Sequence, residues 1–174
     1  QQANQVICNV AERSWTNGPD ANIFGQGPNF GCCYANFHQG WPKFVTNMWM
    51  RTPDNGVAAT VYGPNKVTTN VGDESEITII EDTNYPFDNK ITFRIETDNQ
   101  ISFPLHPRAP SWADNARLSL PDDECMNMTS GEFHTIKRTW QHGDEVVLSM
   151  SPDIETERRH HGSVSILRGP LVYS

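Results

Sequence analysis

The chain has 174 residues, 36% hydrophobic and 20% charged, with a formal net charge of -8. That composition belongs to a globular protein large enough for one domain with a real core, or one domain plus part of another, and excludes a disordered chain. The acidic balance, with no run of Lys or Arg longer than two residues, lacks the basic patch needed to neutralise phosphates, and so excludes nucleic acid as a partner.

Residues 1–14 place Ala3, Val6, Ile7 and Val10 at helical spacing. No basic-then-apolar leader opens the chain, and its first residue is Gln1 rather than Met, which reads as a processed protein or an excised segment. A loop rich in Gly, Pro and Asn runs from Trp15 to Gly31. The aromatic stretch 34–50 then predicts a first turn near Tyr34 to His38. A better helix is expected from Pro42 to Met50, since proline fits the first turn of a helix but breaks its interior.

After Arg51 the periodicity changes to two. Candidate strands are Gly56–Tyr62, Glu76–Glu81, Lys90–Thr97, Ile101–His106, Ala116–Leu120, His134–Trp140, Glu145–Met150 and Ser163–Tyr173. Turn-forming clusters separate several of them, among them Pro53-Asp54-Asn55-Gly56, Gly63-Pro64-Asn65, Val71-Gly72-Asp73 and Gln141-His142-Gly143-Asp144. Short strands at this spacing predict a mainly β fold, a jelly-roll-like β-sandwich of two packed sheets, with Ile91, Phe93 and Ile95 sharing one buried face. Two helices cannot bury their own apolar faces, so the helical start reads as part of a larger helical body. No apolar run approaches the ~20 residues that span a bilayer, so no membrane partner is expected.

The four cysteines are Cys8, Cys32, Cys33 and Cys125. Adjacent cysteines make a strained disulfide, so the set reads as reduced thiols or as metal ligands. Cys32 and Cys33 follow a Gly-rich loop at a helix start, where the partial positive charge of the helix end lowers a thiol's pKa. A thiolate is both a nucleophile and a zinc ligand. The alternative is two small buried apolar side chains.

The stretch Gly31-Cys32-Cys33-Tyr34-Ala35-Asn36-Phe37-His38-Gln39-Gly40-Trp41-Pro42-Lys43-Phe44 resembles the double-cysteine segment of the DUF1680 family, whose best-known members are β-L-arabinofuranosidases. Gly56 to Val67, the turn Arg138-Thr139-Trp140-Gln141-His142-Gly143-Asp144 and the close Arg168-Gly169-Pro170-Leu171-Val172-Tyr173 resemble later family segments in the same order. The resemblance implies a carboxy-terminal piece of a glycoside hydrolase. Residues 1–50 would be the last helices and cysteine-pair loop of a truncated (α/α)6 catalytic barrel, and 51–174 a β-sandwich domain. It implies Cys32 as nucleophile and zinc ligand and Cys33 as zinc ligand. The remaining ligands, in a Glu-x-Cys motif, and the acid/base Glu are expected upstream of residue 1. Glu124-Cys125 is the nearest approach to that motif and has the wrong spacing. The implied partners are a plant-type arabinose-containing glycan and the missing amino-terminal barrel. A bacterial periplasmic or secreted location follows if a signal peptide lies upstream.

His38 and Trp41 are candidate substrate-binding residues, His38 because it lies one to two turns beyond the thiols. The family commonly carries an Arg soon after the pair, where this chain has His38 and Gln39, so substrate does not transfer with fold. Asp73-Glu74, Asp122-Asp123-Glu124, Glu155 and Glu157 read as solvated and form no catalytic carboxylate pair. His160-His161 reads as a loop rather than a metal site, because neighbours on a strand point to opposite faces. A second functional reading is a non-catalytic carbohydrate-binding or structural sandwich, with Trp112 and Trp140 as exposed sugar platforms. The two readings differ in what they expose: an enzyme fragment shows an apolar face within residues 1–50, a binding module an aromatic patch on the sandwich.

Overall fold

The computed structural model describes residues 35–173 and divides the chain into two compact units, Gln1–Thr46 and Asn47–Ser174. In the first unit, Ala35 and Asn36 are helical, a 3-10 turn spans Phe37–Gln39, and a helix, α1, spans Gly40–Thr46. Pro42 sits in the first turn of α1, where no backbone hydrogen bond is lost. The Thr46 hydroxyl donates back to the carbonyls of Pro42 and Lys43 at 2.9 and 3.2 Å, closing the other end. The helix therefore stops short of Met50. Among the described residues no helix is long and apolar enough to cross a membrane.

Among its described residues the second unit holds thirteen strands. They are β1 (Trp49–Arg51), β2 (Val57–Ala59), β3 (Asn65–Val71), β4 (Ser75–Asp82), β5 (Lys90–Glu96), β6 (Ile101–Pro107), β7 (Arg117–Ser119), β8 (Cys125–Asn127), β9 (Ile136–Trp140), β10 (Glu145–Ser149), β11 (Ile154–Arg158), β12 (Val164–Arg168) and β13 (Leu171–Tyr173). One sheet has the order β1-β2-β6-β9, a second β3-β4-β5-β10-β7-β8, and a third β11-β12-β13. All pairings are antiparallel except β2 with β6.

The first two sheets share one core, which makes the fold a β-sandwich preceded by a helical segment. Val57, Phe103, Leu105, Ile136 and Trp140 from the first sheet meet Ile77, Ile79, Ile91, Phe93, Leu118 and Leu148 from the second. Ile91, Phe93 and Ile95 are all fully buried while Lys90 is exposed and Thr92 and Arg94 are half-buried, so the expected register holds. Gly56 is required by space rather than by its backbone angles. A Cβ there would lie 2.2 Å from the Pro104 carbonyl oxygen, where β2 enters its parallel pairing with β6.

The differences from the sequence reading have physical causes. Trp49–Arg51 is strand because Trp49 pairs with Ala59 and its ring meets Phe93 edge-on at 5.7 Å, a tertiary contact that overrides the local helical pattern. β3 and β8 were hidden because they bury little: β3 is half-buried along one face, with only Val71 at its end fully buried, and β8 is three residues long. β11 is exposed throughout, so burial imprints no alternation on it. The expected strand Ser163–Tyr173 is two, folded at Gly169-Pro170. Gly169 has φ +56°, and a Cβ there would press on Pro152 and the Trp112 ring at 3.0–3.2 Å.

Candidate functional site

Cys32 and Cys33, like the helical pattern of residues 1–14 and Cys8, lie outside the described residues. His38 lies in the 3-10 turn and is exposed. Trp41, in the first turn of α1, is 68% exposed, its ring edge-to-face with Phe44 at 6.2 Å. Phe37, Trp41, Phe44 and Val45 recur at the spacing of one helical face, and all four are exposed, as is every residue of α1. This short segment thus presents an aromatic stripe in place of a covered core face.

A buried polar centre was missed by the sequence reading. Glu81, on β4, is 1% exposed. Its two carboxylate oxygens accept from the Gly63 amide at 2.9 Å and from Asn65 Nδ2 at 2.7 Å. Asn65 also donates to the Gly63 carbonyl at 2.8 Å, and its Oδ1 accepts from the Trp49 indole at 2.8 Å. Nearby, the Tyr62 hydroxyl donates to the Arg108 carbonyl and accepts from the Arg108 amide at 2.8 Å. Burial pushes the Glu81 carboxyl up to about 7, against the two donors, which pull it down. Burial likewise raises Tyr62 and Tyr85. The signal was present: Ile77 and Ile79 point inward, and period two carries that face to Glu81.

The Arg138–Asp144 segment is a structural turn. Trp140 is fully buried and its indole donates to the Phe103 carbonyl at 2.9 Å. Arg138 lies over that ring, 5.3 Å from its centroid, and reaches Asp122 at 2.7 Å. Gly143 takes φ +87°, and the buried Asp144 accepts from the Gln141 amide at 3.1 Å. Trp140 is therefore no exposed sugar platform, and Trp112 is half-buried beside Gly169.

Among the described residues, no group of three or more His, Cys, Asp or Glu side chains comes together to hold a metal. Cys125 is exposed, its Sγ 3.7 Å from Ser119 Oγ. Asp73, Glu74, Asp122, Asp123, Glu124, Glu155 and Glu157 are all exposed, as read from the sequence. A shallow apolar cleft of about 300 Å³ lies among Met50, Ala58, Thr60, His106 and Phe133. His106 has no free ring nitrogen there: Nδ1 meets Thr135 Oγ1 at 3.1 Å and Nε2 meets Asp54 at 3.2 Å. It ties the 52–56 turn to β9's approach rather than offering a base.

No curated protein sequence matches the chain. The family described as "Beta-L-arabinofuranosidase, GH127 middle domain" matches residues 56–151, more than half of it. The chain belongs to this family. The GH127 middle-domain match runs from the start of β2 through the end of β10, so the helical segment, β1 and the β11–β13 sheet lie outside it. Solved structures share the fold. A GH127 beta-L-arabinofuranosidase from Geobacillus stearothermophilus T6 superposes with TM-score 0.72 at 24% identity, over 83% of this chain and 24% of its own. A structure described as a glycoside hydrolase gives 0.76 at 23% identity, over 95% and 28%. Another GH127 beta-arabinofuranosidase gives 0.70 at 20% identity, over 83% and 26%. The chain thus spans about a quarter of the length of these structures.

Proposed function

We propose that this chain is the segment of a GH127-type glycoside hydrolase in which the catalytic barrel hands over to a β-sandwich, with residues 1–46 closing an (α/α)6 barrel and 47–174, which include β1, forming the sandwich. The observation that carries this reading is the exposed stripe Phe37, Trp41, Phe44 and Val45 directly after the cysteine pair. An apolar face of this kind requires a partner, and missing barrel helices are such a partner. The rival reading, a sandwich that binds glycans through Trp112 and Trp140, loses its main support with Trp140 buried. The family's description as a middle domain supports placing the sandwich within the enzyme rather than at its carboxy terminus.

In this reading the substrate is an arabinofuranoside of plant-type glycans and the site is a zinc–thiolate centre. The donor set inside the chain, Cys32 and Cys33, supplies two of the four ligands zinc takes, and the rest come from elsewhere in the enzyme. Zinc, when bound, keeps the thiols ionised at neutral pH. Cys32 attacks the anomeric carbon, the glycosidic C–O bond breaks, and a carboxylic acid protonates the departing oxygen; water then displaces the thiolate. His38 and Trp41, close to the pair in sequence, are the residues this reading assigns to the sugar. The acid is not found among the described carboxylates. The exposed ones lack an apolar setting, and Glu81 is committed to Gly63 and Asn65 inside the sandwich.

The isolated 174-residue chain should therefore show no turnover of an aryl arabinofuranoside, measured by release of the aryl group. Turnover that disappears in Cys32→Ala would show that the chain carries its own acid and contradict the reading.

A further inference from the structure

We propose that Glu81 is a proton-controlled latch on β1, the strand by which the chain enters the sandwich. The geometry has two parts. First, the Glu81 carboxyl is buried, and the hydrogen-bond partners it has are both donors, the Gly63 amide and Asn65 Nδ2. Such a shell is matched to a carboxylate, and the acid adds a proton that neither of these donors can accept. Second, Asn65 cannot turn its amide over to supply an acceptor. Its Nδ2 is shared with the Gly63 carbonyl, and its Oδ1 holds the Trp49 indole. The nearby Tyr62 hydroxyl is already engaged with both backbone groups of Arg108. Protonation therefore weakens the carboxyl as an acceptor for both donors and, through Asn65, loosens the indole that anchors the edge strand β1.

The surroundings make the proton the variable that counts. The titratable groups facing Glu81 are Tyr62 and, behind it, Tyr85, both neutral near pH 7, with the Arg108 guanidinium acting on both tyrosines. The charged side chains of the neighbouring strands point to the opposite face, where Lys66 on β3 pairs with Glu96 and Arg94 on β5 pairs with Glu145; Asp82 on β4 is exposed. Among the described residues no cation therefore offsets the desolvation that favours the acid. Because the folded pKa is raised, this residue's contribution to stability is full below about 4.5, falls as pH climbs to about 7, and is flat above. The latch is consequently tight where the fold bears the cost of the buried charge, and loose where that cost is relieved.

The test is NMR of ¹⁵N-labelled protein with ¹³C-labelled glutamate carboxyls, from pH 5 to 9. The Trp49 indole signal, assigned with Trp49→Phe, should move in a single transition centred near 7, together with the Glu81 carboxyl. In Glu81→Gln the transition should vanish. If that variant fails to fold, the coincidence of the two wild-type titrations decides. A Trp49 indole signal flat over this range, or a Glu81 carboxyl that titrates below pH 5, overturns the proposal.

Discussion

Cys32→Ser in the full-length enzyme should keep the fold yet lose nearly all turnover, whereas Cys33→Ser should mainly weaken zinc binding and regain activity in excess zinc. The two substitutions differ in kind because the two thiols have different tasks in the proposed site. A serine hydroxyl is far less acidic than a thiol, so at position 32 it leaves no competent nucleophile even where a metal is still held. At position 33 the loss is one ligand of four, which mass action can offset. Steady-state kinetics with and without added zinc, alongside metal content, would separate the two effects. If both cysteines were purely structural ligands and a carboxylate attacked the sugar, the variants would behave alike, and zinc would rescue both or neither.

Trp140→Ala should destabilise the sandwich by about 4 kcal/mol, of the order found for large aromatic truncations in cores. Trp140 is fully buried, stacks at a tilt on Phe103 at 5.6 Å, and gives its indole hydrogen to the Phe103 carbonyl. The substitution removes the largest wholly buried side chain of the core and takes away the surface on which Arg138 rests. A change of that size is a large share of the stability of an ordinary domain. Urea denaturation should show a lower midpoint with an unchanged slope. Trp41→Ala, at a 68% exposed position, should stay within about 0.5 kcal/mol in the same assay. The contrast distinguishes a tryptophan that builds the core from one that faces outward.

The sandwich was legible wherever burial imposed alternation. Lys90 to Glu96 reads in-and-out as Ile91, Phe93 and Ile95 against Thr92 and Arg94, and the structure keeps that register. It was illegible where strands owe their existence to neighbours. Trp49–Arg51 carries a helical pattern and is held as strand by Ala59, Phe93 and Asn65, all distant in sequence. β11 exposes both faces and so has no apolar period to read. The Arg138–Asp144 motif was recognised as a family feature, but its role needed coordinates: only the indole bond to Phe103 and the Arg138 contact show that it staples the core. Glu81 was passed over because charge at a strand end suggests solvent, although the inward phase of Ile77 and Ile79 already assigned it to the core. For the proposed site, the cysteine pair was legible in the sequence by residue type and spacing, and it lies outside the described residues.

The most direct measurement is mass spectrometry of the full-length enzyme after reaction with an electrophilic trap of arabinofuranose configuration. The proposed mechanism predicts a single sugar adduct on Cys32, blocked by substrate and absent in Cys32→Ser. An adduct on a glutamate or aspartate, with Cys32 unmodified, would contradict it.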